Sequence, residues 1–168
     1  MPQPVIASVG ASPIGRTDLP GRDLFSVALA EAFDGLPDPA DVVEAVYVGN
    51  QSERYEHQIM YGTLLAEWAG LRHVPAERVE GCAAAGALAL RHAVKDIRNG
   101  EHDAVLACGV EKMTSAGTSG ATDALSAAFD RFGPAIQAHL DVPVRPIALG
   151  TAGPLLGAAH LTFSSPTR

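Results

Sequence analysis

Two cysteines in 168 residues, Cys82 and Cys108, are too few and too far apart to suggest a CxxC metal or redox pair. A reducing compartment would disfavour a disulfide between them, so each has to be judged alone. Cations are also sparse. The 12 Lys and Arg are outnumbered by 19 Asp and Glu, giving a formal charge of -7, and they are scattered along the chain. That excludes the basic face needed to neutralise nucleic-acid phosphates, so no nucleic-acid partner is expected. No stretch approaches the roughly 18 apolar residues of a membrane span. The opening "MPQPVIASVGASPIGR" has a short apolar run and no basic region ahead of it. The expectation is a cytoplasmic protein with no membrane partner, and no metal site is predicted.

What is present is a folding composition. Hydrophobic residues make up 47% and charged residues 18%, which is globular rather than disordered. The length suits one domain with a real core.

Along the chain, strand-like and helix-like patterns alternate. "PVIASVGAS" (4–12) is a β-branched run that predicts a first strand. In "RDLFSVALAEAFDGL" (22–36), Phe25, Leu29, Ala32, Phe33 and Leu36 share one helix face. "VVEAVYVGN" (42–50) predicts a strand, "QIMYGTLLAEWAGL" (58–71) a helix, and "AERVEG" (76–81) a short strand. From 83 to 99 the pattern is helical, with Leu90, Ala93, Val94 and Ile97 as an apolar stripe and Arg91, Lys95 and Arg98 as a basic one. Gly100 is the stop signal. "DAVLACGVE" (103–111) predicts a buried strand. Such alternation implies an α/β fold, a parallel or mixed sheet with helices on both faces. At least four strands are expected over 4–114, with the alanine-rich helix after Cys82 buried among them.

Cys82 falls where the third strand gives way to this helix. Unpaired N–H groups and the positive end of the dipole favour a thiolate there, and the same amides could hold an oxyanion. A small side chain packed in a crowded corner is the other reading of the same position. Cys108, in mid-strand, reads as a core residue.

"RVEGCAAAGALAL" followed by "AVKDIRNGEHDAVLACGVEKMT" resembles the nucleophile segment of thiolases, in particular the archaeal and sterol-carrier-type branch. There a Cys-Ala-Ser-Gly stretch opens a buried helix and a Gly-x-Glu-x-Met turn follows the next strand. The corresponding positions are Cys82, Ala83, Ala84 and Ala85, with Gly86 next, then Gly109, Glu111 and Met113. "VGASPIGRT" is similar to the family's first strand and loop, and "VYVGNQ" to its second strand. The resemblance implies a thiolase-like N-terminal domain over 1–120. It implies Cys82 as nucleophile, with Gly86, Gly109, Glu111 and Met113 supporting the pocket. It also implies an acyl-CoA substrate, no cofactor beyond that coenzyme A thioester, a place in lipid metabolism, and oligomeric assembly.

Two departures accompany it. Ala84 and Ala85 stand where the family has Ser and Gly. Thiolases also resemble a duplicated fold whose second half carries a Gly-His-Pro histidine and a Cys-x-Gly cysteine, and neither motif occurs in these residues. No histidine is therefore assigned a catalytic role. His92 reads as half-buried or solvated, and His139 and His160 lie in unrelated surroundings. Residues 121–168 form an atypical helical or irregular tail, in which "ALGTAGPLLGAA" faintly resembles the close of ROK-type sugar kinases without any kinase motif. A rearranged or truncated reading frame is one expectation, with the seam at 115–123 and disorder over the last ten residues. "GASPIGRT" (10–17) approximates a phosphate-binding loop, but Arg16 replaces the lysine and Pro13 removes an amide.

Two functions follow from this reading. One is acyl transfer from an acyl-CoA thioester to Cys82 for Claisen condensation or thiolysis, incomplete in this chain. The chain would then work as a homo-oligomer or with a complementing C-terminal-half subunit. The other is a non-catalytic thiolase-fold fragment or interaction module.

Overall fold

The computed structural model describes residues 2–124 and residue 138. The chain divides into two units, residues 1–117 and 118–168. In the second, residues 118–124 are helical, and the Thr122 hydroxyl donates to the Thr118 carbonyl at 2.9 Å. His139, His160 and the "ALGTAGPLLGAA" stretch lie outside the described residues.

In the first unit the elements run α1 (Gly21–Ala32), α2 (Pro39–Val42), β1 (Ala45–Gly49), α3 (Tyr61–Trp68), β2 (Ala76–Val79), α4 (Ala85–Asn99) and β3 (Val105–Gly109). The strands form one sheet in the order β2-β1-β3, and both pairings are parallel. The α/β class therefore forms as expected, with every pairing among the described residues parallel rather than mixed. The chain leaves β1 for β2 on one side and then passes back over β1 to reach β3. A right-handed crossover can serve both moves only if its helix changes face, and it does. Helix α3 packs on β2 and β1, whereas α4 packs on β1 and β3 from the other side.

The central strand serves both faces by alternation. Val46 and Val48 point into the main core with Phe25, Tyr61, Leu65, Leu71 and Val110. Ala45, Tyr47 and Gly49 face α4. Burying Val46, Val48 and Leu65 completely contributes about 1.5–3 kcal/mol each. The core sits between α1, α3 and the sheet.

Three expectations need correction. The strand predicted over 4–12 does not form, so the sheet has three strands among the described residues rather than four. β propensity makes a strand only where a partner edge is offered, and this segment lies instead along α1. The Ser8 hydroxyl donates to the Ala32 carbonyl, and the Ala11 N–H donates to Glu31 Oε2 at 2.9 Å. Val5, Ile6 and Val9 stay exposed. Second, α4 is buried along one face only. That face is Ala85, Ala89 and Ala93, and Leu90, placed on the apolar stripe, is turned outward. The smallest side chains face the sheet because they allow the closest approach. Third, the helix predicted over 58–71 begins at Tyr61, after Met60 in the left-handed region.

How close α4 comes is decided by glycine. A Cβ on Gly49 would lie 2.6 Å from the Gly86 nitrogen and 2.7 Å from the Ala85 carbonyl carbon, both rigid backbone atoms. A Cβ on Gly86 would meet nothing within 4 Å. Gly49→Ala is expected to lower stability by about 1–3 kcal/mol through overpacking. Gly86→Ala, in the first turn of α4 with open space around the added methyl, is expected to raise it by up to about 0.5 kcal/mol. Urea unfolding of the two variants beside the parent chain checks the opposite signs.

Candidate functional site

β2 ends at Val79, and Glu80 and Gly81 carry the chain to Cys82. Cys82 has φ 51°, a left-handed conformation that costs a residue with a Cβ about 1–3 kcal/mol. A 3-10 turn over Cys82–Ala84 then runs directly into α4. A strand, a sharp turn at a strained residue and a helix together form the geometry by which α/β enzymes lift a nucleophile above the sheet. The Cys82 side chain is exposed.

Two of the sequence-predicted residues, Gly86 and Gly109, come together beside this turn. Gly49 and Gly109 end their strands side by side in register, and a Cβ on Gly109 would sit 4.0 Å from the Gly86 Cα. The first turn of α4 thus rests on the carboxyl edge of the sheet, where ligands of open α/β sheets bind. Gly86 and Gly109 are both exposed. Met113 is half-buried ahead of the Thr114–Ala116 turn, and no hydrogen bond ties its side chain to Cys82.

Glu111 organises the floor. Its carboxylate accepts the Gln51 N–H at 2.6 Å and the Asn50 Nδ2 at 3.3 Å, while Asn50 Nδ2 also donates to the Val110 carbonyl at 2.9 Å. Arg78 Nη1 donates to the Asn50 carbonyl at 2.8 Å, and Arg78 Nε lies 3.4 Å from Glu53 Oε1. Glu53 in turn accepts the Tyr61 N–H at 3.1 Å. The ends of all three strands are tied by these side chains. Burial raises the Glu111 carboxyl above its ordinary range, against the pull of the Gln51 and Ser52 amides and of Arg78. Lys112, buried beside it, donates to the Thr17 carbonyl.

The Cys82 amide is engaged as well. It donates to Glu80 Oε1 at 2.7 Å, so it is not open to an oxyanion while that carboxylate holds it. Glu80, Asn50, Arg78 and Tyr55 were not singled out in the sequence. Arg78 carried a usable signal, a charged residue inside a strand on the side that faces α3. Tyr55 is buried, and burial, then Glu111 and Cys82, raise its hydroxyl above the ordinary phenol range, opposed by the Gln51 side chain.

Cys108 occupies the other side of the sheet, among the main-core residues. Its thiol donates to the Tyr47 carbonyl at 3.7 Å, and burial pushes it up to about 12. Among the described residues, no histidine is hydrogen-bonded to Cys82. His92 is half-buried with its ring 5.3 Å from that of Tyr47, whose hydroxyl donates to Asp96 Oδ2 at 2.6 Å. His102 Nδ1 lies 3.6 Å from Glu44 Oε2. Residues 10–17 form no phosphate cradle, because no strand precedes them and the next helix starts only at Gly21.

Among the described residues, no cluster of three or more His, Cys, Asp or Glu could hold a metal ion, and no helix is long and apolar enough to cross a membrane. A separate open cleft of about 290 Å³ is lined by Arg22, Glu56, Tyr61, Leu64 and Trp68 and does not include Cys82.

Residues 4–134 match the family model described as thiolase, N-terminal domain. The acetyl-CoA acetyltransferase of Methanocaldococcus jannaschii is 44% identical over 111 residues, which cover 66% of this chain and 28% of that protein. The acetyl-CoA acetyltransferase of Methanothermobacter thermautotrophicus is 39% identical over 101 residues, 58% of this chain and 26% of that protein. The chain thus spans little more than a quarter of the length of these curated relatives.

The different settings of the two thiols have a direct chemical consequence. Brief treatment of the native protein with iodoacetamide is expected to label Cys82 and spare Cys108, with both labelled after unfolding in urea. Peptide mapping reads the outcome, and preferential labelling of Cys108 in the native protein would contradict it.

Proposed function

The chain belongs to the thiolase family through its N-terminal domain, and on that premise we propose that Cys82 accepts an acyl group from an acyl-CoA thioester. The observation that carries this reading is the left-handed turn that presents an exposed Cys82 at the carboxyl edge of the sheet. The Cys82 sulfur attacks the thioester carbonyl, and the tetrahedral intermediate collapses to an acyl-cysteine with coenzyme A leaving as a thiolate. The exchange is nearly balanced, because one thioester replaces another, so the protein's task is positioning and charge stabilisation. Claisen condensation or its reverse, thiolysis, would follow from the acyl-cysteine. Gly86 and Gly109 leave room above the sheet, and Glu111 holds its floor.

The later steps need a proton acceptor for the second substrate. Since no histidine is hydrogen-bonded to Cys82 among the described residues, that group comes from elsewhere, a complementing polypeptide or another part of the protein. General acid–base help is worth about 10² to 10⁴ in rate. The 168-residue chain alone is therefore expected to gain one acetyl group on Cys82 when incubated with acetyl-CoA, yet to show little or no sustained acetoacetyl-CoA thiolysis. Intact mass and peptide mapping read the first part, with Cys82→Ala as the blank. An unmodified Cys82 would remove the acyl-transfer reading. Steady thiolysis abolished in Cys82→Ala would show a catalytic base within the chain.

We also propose that the domain works in association. Strands β2 and β3 are edges of the sheet among the described residues, and such edges invite pairing. Ile59, Met60, Leu64 and Trp68 add exposed apolar surface nearby in sequence. Sedimentation velocity is expected to show a mass that rises with concentration toward a dimer or larger species. A well-behaved monomer at high concentration would count against self-association.

A further inference from the structure

Glu80 stands two residues before Cys82, between the end of β2 and the turn that opens α4, and its carboxylate occupies the Cys82 amide. The bond from the Cys82 N–H to Glu80 Oε1 is 2.7 Å long, the length of a charge-assisted hydrogen bond. Two other amides of the turn are held differently. The Ala84 N–H donates to the Gly81 carbonyl at 3.0 Å and the Ala85 N–H to the Cys82 carbonyl, so both are fixed by backbone partners. The Cys82 N–H is held by a side chain alone. Glu80 is exposed, so rotation of its side chain releases the amide with no movement of the backbone.

Acyl transfer makes a demand on this position. As the Cys82 sulfur attacks a thioester, the carbonyl oxygen takes up negative charge and requires donors close to the sulfur. With Glu80 in place, that oxygen would meet a carboxylate where it needs an N–H. Two penalties follow from one contact, a lost hydrogen bond and the repulsion of like charges. We infer that Glu80 is an autoinhibitory gate on Cys82: bound to the Cys82 amide it closes the site to thioesters, and turned into solvent it opens it. The inference rests on the reading of Cys82 as the nucleophile that accepts an acyl group.

Such a gate acts on acyl transfer and not on every reaction of the thiol. Alkylation by iodoacetamide displaces iodide from a saturated carbon, builds no oxyanion and makes no use of the amide. Both reactions employ the same sulfur, so any change in the reactivity of the sulfur itself enters both rates and cancels in their ratio. What remains in the ratio is the availability of the N–H.

The test compares the whole chain with Glu80→Gln and Glu80→Ala. Acetylation of Cys82 is followed with S-acetyl-N-acetylcysteamine and alkylation with iodoacetamide; both reagents are uncharged, so neither responds to the change in net charge. The ratio of acetylation to alkylation rate is expected to be about tenfold higher in Glu80→Ala than in the parent, the scale of the one hydrogen bond that closes the amide. Glu80→Gln should fall between them, because its side-chain oxygen still accepts but in a neutral bond of about half the strength. A second readout needs no thioester. Hydrogen exchange at the Cys82 amide, followed by NMR, should quicken in the same order, and an unchanged rate in Glu80→Ala would overturn the proposal. Acetylation of all three chains at one ratio would overturn the gate and leave the acyl-transfer reading standing. Acetylation of none, with faster amide exchange in Glu80→Ala, would remove that reading and, leaving the contact no reaction to control, the gate with it.

Discussion

The first turn of α4 lies backbone against backbone on the carboxyl ends of β1 and β3, and most other features of the site depend on that approach. Gly49 allows it directly, Gly109 lies beside it, and the alanines at 85, 89 and 93 continue it along the sheet. A helix held this low leaves little length between the end of β2 and its own first residue. The chain turns within Glu80, Gly81 and Cys82, and the sharpness of the turn falls on Cys82 as a positive φ. Placing the cysteine and straining it are consequences of one packing decision, made on the neighbouring strands.

Such an arrangement exposes polar backbone groups at the strand ends, and the side-chain network meets that demand. Asn50 ties β1 to the residues after β3, Arg78 ties β2 back to β1, and Glu111 anchors the loop that follows β1. A carboxylate that is half-buried gains its stability from the amides aimed at it. Removing one member leaves the others with unmet hydrogen-bonding capacity, so the network acts as a unit rather than as independent pairs.

The alternation of strand and helix was legible because apolar periodicity records which face each element buries. Phe25, Leu29 and Phe33 all reach the core their spacing implied, and Gly100 caps α4 in the left-handed conformation. Residues 4–12 misled because β-branched residues report a preference, not the presence of an edge to pair with. Leu90 misled for a related reason. Hydrophobicity alone favours the larger side chain as the buried one, whereas a close helix-sheet contact selects the smallest. At the site, the helix-opening position of Cys82 was legible from the point where the strand pattern gives way to the helical one, and Glu111 was singled out through motif resemblance. Asn50 and Glu80 were not, since their partners lie on other elements or depend on a turn whose geometry leaves no periodic trace.

The alternation along β1 gives the strand a parity. Its even-numbered positions, Val46 and Val48, belong to an aliphatic core, and its odd-numbered positions, Ala45, Tyr47 and Gly49, belong to a thin alanine layer under α4. The two compartments differ in depth, so their residues cannot be exchanged. A one-residue insertion or deletion within the strand would drive valines into the shallow layer and bring Tyr47 into the aliphatic one. It would also move Gly49 from beneath the helix. Five residues thus encode two incompatible environments in a single reading frame of the backbone, and the strand can change by substitution far more readily than by a change in length.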